Sequence, residues 1–300
     1  MNELSFSSEV KEELSKINNL SKKDLVKEEL VGYLIACNTS VSKGKTIRYA
    51  TESEYNINRF SKLLANLQIG HKIEMEGKSF VVTAKIKDVP FIELADGKSL
   101  LAKNKDTSIE KISNNEDAKK ARIRGAFLGG GSMNNPDSKY HMEISLSNRA
   151  NLEDIKKILE EFKIKVKKME KNSKQVLYLK EGEEISKILA LMGAGKSVLK
   201  FEEIRVQREM RGKVNRLVNC KTANLNKTIN ASVEQIEAIK KLKEKHEFNK
   251  LDDNLKEIAR LRLEYPEMPL IELGQKLSKP VGKSGVNYRL KKIIEIAKEI

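Results

Sequence analysis

The amino-acid sequence predicts an α+β protein in which two similar α/β halves precede an all-α C-terminal domain. One observation behind this prediction is a set of helix and strand signals that recurs at an offset of about 95 residues. The other is a series of helical signals, punctuated by prolines and turn residues, that fills the C-terminal part of the chain. We expect the halves to span residues 1–105 and 106–200.

Composition narrows the classes of function. The 300 residues include 58 Lys and Arg against 43 Asp and Glu, a formal net charge of +15, and no tryptophan. Both the α/β part and the C-terminal part are basic, which favours a polyanionic partner such as nucleic acid. A lysine-rich surface that serves only solubility is the alternative.

The cysteines, the histidines and the N-terminal residues argue against a disulfide-rich, metal-stabilised, secreted or membrane-spanning protein. The chain has only two cysteines, Cys37 and Cys220, and these cannot form a disulfide framework in a protein of this size. His71, His141 and His246 have no ligand-like spacing with them, so no structural metal is predicted. The charged N-terminus is not a signal peptide, and no apolar run is long enough to span a membrane. A soluble, cytoplasmic protein is expected.

Two amphipathic helices mark the repeat, at residues 57–69 and 152–164. Their apolar positions are Ile57, Phe60, Leu64 and Leu67 in the first copy and Leu152, Ile155, Leu159 and Phe162 in the second. Two strand signals follow each helix and another strand precedes it. Each half is therefore expected to run helix–strand–strand–helix–strand–strand, and the segment "EEISKILALM" should add a closing helix to the second half.

A glycine-containing helix precedes the strands of each half. In "LVGYLIACNTS" and "IRGAFLGGGS", Gly32 and Gly125 occupy matching places. Because glycine has no Cβ, we expect these helices to pack with their backbones close together, with Gly125 and Gly129 on the contact face. Gly130 and Gly131 are expected to end the second helix with a left-handed cap.

This arrangement resembles the LAGLIDADG homing endonucleases over roughly residues 20–195. The resemblance implies a saddle of two sheets that straddles DNA, and two motif helices whose acidic ends hold divalent metals over the scissile phosphates. With the motif glycines on Gly32 and Gly125, the acidic positions fall on Cys37 and Gly130. Neither is a carboxylate, and hard cations need oxygen ligands. We therefore expect a catalytically dead scaffold with no metal and no cofactor.

The segment "ALMGAGKS", residues 190–197, partly matches a phosphate-binding loop. Such a loop follows a buried strand, so that backbone N–H groups converge on phosphates at the start of the next helix. Here the preceding residues have helical spacing, and Gly193 is placed to cap that helix. We expect a turn between domains and no nucleotide site at Lys196.

Residues 201–228 are predicted to form a basic linker. Its basic side chains are Arg205, Arg208, Arg211, Lys213 and Arg216. Interleaved basic and asparagine side chains suit contacts with phosphates and base edges. They suit equally well a helix braced between two domains, and the sequence does not choose between these readings.

Residues 229–300 are predicted to form a helix-turn-helix domain. An Asp-capped helix is followed by a short one that starts at Pro269 and contains Gly274, by the turn "SKPVGK", and by a final helix capped by Ser284. The buried face of this helix should consist of Val286, Leu290, Ile293, Ala297 and Ile300. Its opposite side carries Ser284, Asn287, Tyr288, Lys291 and Lys292, as a recognition helix in the major groove would. A plain three-helix bundle with a solvated face is the alternative.

The order of these parts resembles the bacterial WhiA regulators, and so do three strings: "SFSSEVKEEL", "NRLVNCKTANLNKT" and "KSGVNYRLKKI". The resemblance spans almost the whole chain. It implies a sequence-specific transcription regulator linked to cell division and, in some lineages, sporulation, built on a nuclease scaffold without catalysis. Double-stranded promoter DNA is the expected partner, with RNA polymerase or another regulator as a further one. A nucleoid-associated monomer is expected.

Two alternatives come from other classes. An active metal-dependent LAGLIDADG endonuclease would nick duplex DNA in the presence of magnesium. A nucleic-acid-binding module without sequence preference would bind random and promoter DNA equally well.

Overall fold

The computed structural model describes residues 5–42, 44–95, 97–103, 115–172 and 174–300. The chain forms two compact units, Met1–Glu209 and Met210–Ile300. The first is the mixed α/β part and the second is helical, so the predicted α+β class is confirmed.

The first half has the predicted element order. An additional helix, α1 (Phe6–Ser15), comes before it. The half then contains α2 (Lys23–Ile35), β1 (Thr39–Ser42), β2 (Thr46–Thr51), α3 (Glu54–Asn66), β3 (His71–Glu76) and β4 (Ser79–Lys85). Its strands form an antiparallel sheet in the order β1-β2-β4-β3.

A two-stranded hairpin that the sequence did not predict separates the halves: β5 (Ile92–Ala95) and β6 (Ser99–Ala102). The second half then contains α4 (Glu116–Gly130), β7 (Gly131–Met133), β8 (Met142–Leu146), α5 (Arg149–Glu161), β9 (Lys167–Lys171), β10 (Lys174–Leu179) and the closing helix α6 (Gly182–Met192). Its sheet order, β7-β8-β10-β9, repeats that of the first half.

The duplication extends to single backbone angles. Gln68 and Lys163, which follow α3 and α5, both adopt left-handed conformations, with φ of 59° and 57°. The hairpin turns do the same at Gly77 and Asn172, with φ of 61° and 50°. Non-glycine residues rarely adopt positive φ, so matching turns at matching places confirm the predicted repeat.

The glycines of α2 and α4 bring the two halves together, as predicted. A Cβ atom on Gly32 would lie 2.2 Å from the carbonyl oxygen of Arg122, and one on Gly125 would lie 1.9 Å from that of Glu29. A Cβ on Gly129 would lie 2.9 Å from a side-chain carbon of α2's C-cap residue. Any larger residue at these positions would force the helices apart.

The expected left-handed cap at the end of α4 is wrong. Gly130 is the last helical residue, and Gly131 is the C-cap with an extended backbone, φ −87° and ψ 153°. These glycines are needed for space, because a Cβ on Gly130 would lie 2.4 Å from the oxygen of Ser145 and one on Gly131 would lie 2.2 Å from the ring of Phe127. Sequence alone could not separate these two uses of glycine.

A buried ion network supports the same interface. The Glu29 carboxylate, which is fully buried, accepts hydrogen bonds from Nε of Arg59 at 2.7 Å and from Nε of Arg124 at 3.0 Å. Burial alone would raise the pKa of Glu29, but the bond from Arg59 and the charges of both guanidinium groups lower it below its usual value. Glu29 therefore joins α2 to α3 of its own half and to α4 of the other.

The second half has the corresponding pair with its charges reversed. Repeat positions place Arg122 where the first half has Glu29, and Asp154 where it has Arg59. The buried Arg122 guanidinium donates to Asp154 at 2.8 Å and, across the interface, to Glu28 at 2.8 Å. Burial raises the pKa of both carboxyl groups. The halves are thus electrostatically complementary, not interchangeable.

Helix α7 (Gly195–Glu244) begins in the first unit and ends in the second. It contains all of residues 201–228, and the predicted linker and domain boundaries remain predictions. A 3₁₀ turn (Phe248–Lys250) follows, and then α8 (Asp253–Glu264), α9 (Leu270–Gln275) and α10 (Lys283–Lys298). The core of this unit includes Ile239, Leu255, Ile258, Leu273, Val286, Leu290 and Ile293. Asp252 caps α8 by accepting from the N–H of Leu255 at 3.1 Å, as predicted.

Two expectations for α10 are wrong at its ends. Its N-cap is Gly282, so Ser284 lies in the first helical turn and makes no cap. Gly282, two residues before the expected position, takes the extended conformation of a cap residue. Ile300 is exposed because the helix ends at Lys298 and the chain beyond it leaves the core, whereas the other four predicted face residues are buried.

Candidate nucleic-acid interface

The predicted recognition surface lies at the start of α10. Ser284, Tyr288, Lys291 and Lys292 are exposed, and Tyr288 has 68% of its surface accessible. Asn287 is half-buried at the edge of the same surface. A hydroxyl, an amide, a phenol and two ammonium groups thus line the first turns of one helix, which are the functional groups that read base edges and phosphates.

The backbone of the turn before α10 holds this surface in place. A Cβ on Gly274 would lie 2.1 Å from the carbonyl oxygen of Val281, whose own N–H donates to the Gly274 carbonyl at 3.2 Å. The absence of a Cβ at Gly274 therefore permits this close approach of the turn to α9. Ser278 in the turn donates from its N–H to the Glu257 carboxylate of α8 at 2.5 Å, which fixes the turn against the first helix.

A buried arginine that was not predicted from the sequence orders the connection between α8 and α9. Nη1 of Arg262 donates to the carbonyl oxygens of Pro266 at 3.1 Å and Met268 at 2.9 Å. Burial lowers the pKa of this guanidinium. Its position on the apolar side of an amphipathic helix was the only available signal, and arginine there is usually read as a solvated side chain.

Two of the predicted basic residues of α7 bind within the first unit. Nη1 of Arg205 contacts the Glu202 carboxylate at 2.7 Å. Nη1 of Arg208 donates to the carbonyl of Pro136 at 2.5 Å, and its guanidinium lies 4.3 Å from the centre of the Tyr140 ring. These two side chains brace the start of α7, which is one of the two readings that the sequence allowed.

The remaining predicted residues of α7, namely Arg211, Lys213 and Arg216, are exposed in the second unit. Apolar side chains are exposed on the same helix as well, which was not predicted from the sequence. These include Met210, Val214, Leu217, Leu225 and Ile229. Their spacings of three, four and eight residues place them near one face of a helix, but periodicity does not show whether an apolar face is covered.

The outer faces of the two sheets carry further basic groups. In the first sheet, Arg48 and Lys72 both pair with Thr83 in the strand register and so share the face turned away from the helices. In the second, Lys171 and Lys174 are direct cross-strand partners on the corresponding face. The alternation of strand residues could have placed these basic side chains on a common face from the sequence, but only the strand register shows which face each one occupies.

The two positions that correspond to the acidic metal ligands meet at the ends of α2 and α4. Cys37 donates its N–H to the Ser145 carbonyl at 3.0 Å, and Gly130 approaches the same oxygen. Sγ of Cys37 lies 3.4 Å from Oδ1 of Asn38. Among the described residues, no group of three His, Cys, Asp or Glu side chains could hold a metal. The Glu29 carboxylate of α2 already forms ion pairs with Arg59 and Arg124.

The segment at residues 190–197 is not a phosphate loop. Gly193 ends α6 in a left-handed conformation, φ 94°, which confirms the predicted cap. The Glu13 carboxylate of α1 accepts hydrogen bonds from the N–H groups of Lys196 at 2.8 Å and Ser197 at 2.9 Å. The anion site at the start of α7 is therefore filled by the protein's own side chain.

The described helices include none that is both long and apolar enough to cross a lipid bilayer. The longest, α7, is rich in charged residues.

Family models match most of the second half and the C-terminal unit. One described as the WhiA LAGLIDADG-like domain matches residues 119–211, and one described as the WhiA C-terminal HTH domain matches residues 214–297. The first match ends, and the second begins, within a few residues of the boundary between the two compact units.

Curated relatives have the same family name. The chain is 38% identical to the "Probable cell division protein WhiA" of Clostridium perfringens over 315 residues, which cover 99% of this chain and 98% of that protein. It is 52% identical to the protein of the same name from Thermoanaerobacter pseudethanolicus over 191 residues, covering 64% of this chain and 60% of that one.

A solved structure agrees over the full length. The crystal structure of full-length DUF199/WhiA from Thermotoga maritima is similar with a TM-score of 0.61 and 30% sequence identity, covering 99% of both chains. Because whole-chain sequence similarity, family models and fold all agree, the chain belongs to the WhiA family.

Proposed function

We propose that the protein is a sequence-specific DNA-binding transcription regulator linked to cell division and, in sporulating lineages, to sporulation. The start of α10 reads base edges in the major groove, while α7 and the basic saddle add phosphate contacts. The homing-endonuclease-like scaffold grips duplex DNA without cutting it. The protein acts at the nucleoid, with RNA polymerase or another regulator as a further partner.

The exposed start of α10 is the observation that carries this proposal. Its side chains project from a helix whose opposite face is locked into a core by Val286, Leu290 and Ile293. A rigidly held helix with exposed amide, hydroxyl and ammonium groups suits direct readout. The match of this region to an HTH domain family supports the same reading.

The lack of space for a side chain at the end of the second motif helix supports a non-catalytic scaffold. A side chain at Gly130 would collide with the Ser145 carbonyl, so this helix end has no room for a metal-binding carboxylate. Incubation of supercoiled plasmid with the protein and magnesium tests this part of the proposal. Strand breaks that disappear on chelation would contradict it.

Specificity is tested with duplexes selected from a randomised pool by the full chain. Affinities for a selected and a random duplex are then measured at fixed salt. Asn287→Ala should reduce the ratio of these affinities by about 5- to 150-fold, because one bidentate base contact contributes roughly 1–3 kcal/mol of discrimination. Glu295→Ala, an exposed change two turns further along α10, is the matched control and should leave the ratio unchanged.

Two results would overturn the proposal. One is a wild-type protein that binds selected and random duplexes equally tightly. The other is retention of the full ratio by Asn287→Ala, Ser284→Ala and Tyr288→Ala alike.

A further inference from the structure

The duplicated hairpins of the two halves differ strongly in charge. Residues 163–180, here named the lysine ribbon, contain seven lysines and one glutamate. The equivalent residues of the first half, 68–85, contain three lysines and two glutamates. Both segments form the same antiparallel pair of strands, β9–β10 and β3–β4. Fold therefore does not account for the extra positive charge.

The lysines of the ribbon are directed to solvent. All seven are exposed: Lys163, Lys165, Lys167, Lys168, Lys171, Lys174 and Lys180. Nζ of Lys168 contacts Glu153 at 2.7 Å, and that of Lys171 lies 4.0 Å from Glu143. Within the part of the chain that the structure describes, Lys163, Lys167 and Lys174 have no carboxylate at ion-pair distance.

The ribbon also contains an unfavourable pair. Lys171 and Lys174 lie directly opposite each other in the β9–β10 register. Like charges in this relationship destabilise a sheet. The same positions of the first half are Glu76 and Ser79, which carry no such conflict. A local arrangement that costs stability without a packing benefit indicates a functional role.

The first half neutralises its corresponding surface instead. Arg48 on the outer face forms an ion pair with Glu76 at 2.5 Å, and Glu74 adds a second negative charge beside Lys72 on β3. A polyanion would meet nearly balanced charge on this side and an excess of ammonium groups on the other.

The ribbon fits a nucleic-acid backbone better than a membrane surface. Lys167, Lys171 and Lys174 share one face of the β9–β10 pair. Alternate strand residues are about 6.6–6.8 Å apart on such a face, so these ammonium groups lie at spacings over which a backbone of phosphates can be contacted. Its one large exposed apolar side chain is Met169, whereas interfacial membrane binding requires a broad apolar face with Trp, Phe or Leu.

We propose that the lysine ribbon is a sequence-independent clamp for the phosphodiester backbone of duplex nucleic acid, and that the equivalent hairpin of the first half is not. The saddle then contacts the duplex mainly with one of its two halves. This inference rests on the proposed function, since it requires that the protein binds duplex DNA.

Two matched triple variants of the full chain test the clamp. Lys167→Gln, Lys171→Gln and Lys174→Gln are combined in one protein, and Lys72→Gln, Lys78→Gln and Lys85→Gln in the other. Binding of a random-sequence 30-base-pair duplex is measured across a range of NaCl concentrations. The slope of log affinity against log salt should become shallower by about 2 to 3 in the ribbon variant, close to 0.9 per lost phosphate contact. The control should change by less than about one.

The ribbon variant should fold normally, because it removes the repulsion between Lys171 and Lys174, and its melting temperature should not fall below that of the wild type. Equal slopes in both variants, or an unchanged slope in the ribbon variant, would overturn the clamp. Flotation with phosphatidylglycerol vesicles gives the other outcome: loss of vesicle binding with unchanged DNA binding would reassign the ribbon to membranes. The selected-to-random affinity ratio reports separately on the proposed function, because the ribbon contributes nothing to that ratio.

Discussion

Gly130 approaches Ser145 so closely that a Cβ atom on the glycine would lie 2.4 Å from the serine carbonyl oxygen. The same oxygen accepts a hydrogen bond from the N–H of Cys37 at 3.0 Å. One carbonyl of β8 thus fixes the ends of both motif helices. The two positions that would bear metal-binding acids are occupied by a thiol and by backbone-to-backbone packing.

Restoring the acids should therefore not restore catalysis. Combining Cys37→Asp with Gly130→Asp should destabilise the protein by about 1–3 kcal/mol or more, because the new side chain at position 130 overpacks a filled site. We expect no magnesium-dependent plasmid nicking from any folded fraction. Cys37→Asp alone is the control for charge without overpacking, and efficient nicking by the double variant would disprove this reading of the site.

The contact between α2 and α4 can be tested at Gly125. Gly125→Ala would place a Cβ 1.9 Å from the Glu29 carbonyl oxygen, and because backbone cannot yield as a side chain does, we expect a loss of about 3 kcal/mol or more, or failure to fold. Urea unfolding measures the loss. Gly70→Ala is the control, since no heavy atom lies within 4 Å of a Cβ there. Similar stabilities for the two variants would contradict the proposed close packing.

Glu29 should contribute to stability in a pH-dependent way. Its pKa is lowered in the folded protein, so its contribution is complete above the unfolded carboxyl pKa of about 4.3 and is lost as the pH falls through the folded value. Glu29→Gln leaves Arg59 and Arg124 without their shared carboxylate and should cost about 3–5 kcal/mol at pH 7.

Urea unfolding at pH 7 and pH 3 checks this prediction. The difference between wild type and Glu29→Gln should shrink at pH 3, because the carboxyl group is mostly protonated in the unfolded wild-type chain there and folding must remove that proton. Glu160→Gln removes an exposed helix-surface pair with Lys156 and should cost less than about 1 kcal/mol at either pH. An equal loss for Glu29→Gln at both pH values would show that its charge is not what stabilises the interface.

The helix-turn-helix geometry depends on Gly274. Gly274→Ala would push a Cβ to 2.1 Å from the Val281 carbonyl and displace the turn that positions α10. We expect at least a tenfold loss of affinity for a selected duplex, corresponding to about 1.4 kcal/mol. Gly282→Ala has no neighbour within 4 Å of its Cβ and should bind normally. Electrophoretic mobility shift measures both, and normal binding by Gly274→Ala would exclude this role of the glycine.

The predicted basic residues of α7 should fall into two groups. Arg216→Gln should flatten the salt dependence of DNA binding by about 0.9, the change for one lost phosphate contact. Arg208→Gln should leave the slope unchanged but lower the melting temperature, because it removes the bond to the Pro136 carbonyl and the stacking on Tyr140. If both variants flatten the slope equally, the intramolecular contacts of Arg208 do not persist in solution.

Much of the architecture could be predicted because helix and strand signals depend on residues close together in the sequence. Apolar periodicity located α3 and α5, and the fixed offset between them indicated the duplication that the sheet orders confirm. Helix α1 and the β5–β6 hairpin were not predicted. They lie outside the repeated pattern, so no second copy reinforced their weak individual signals.

The candidate site was predicted less completely, because it depends on which side chains find partners inside the protein. Arg205, Arg208 and Arg216 have similar basic surroundings in the sequence. Arg205 and Arg208, however, bind the Glu202 carboxylate and the Pro136 carbonyl within the first unit. The residue type of Ser284 predicts a helix cap, but the observed cap lies two residues earlier, at Gly282, and Ser284 is exposed in the first helical turn.

The sequence by itself determined the duplicated α/β body, the close glycine contact and the exposed face of the last helix, since periodicity and residue size are properties of the chain. Only the tertiary structure decided which charges oppose each other. The reversed ion pairs around Glu29 and Arg122, the Glu13 carboxylate at the start of α7 and the lysine pair on the β9–β10 hairpin join residues that are distant in sequence or set by register. Electrostatic energy depends on distance in space, and sequence spacing does not supply that distance.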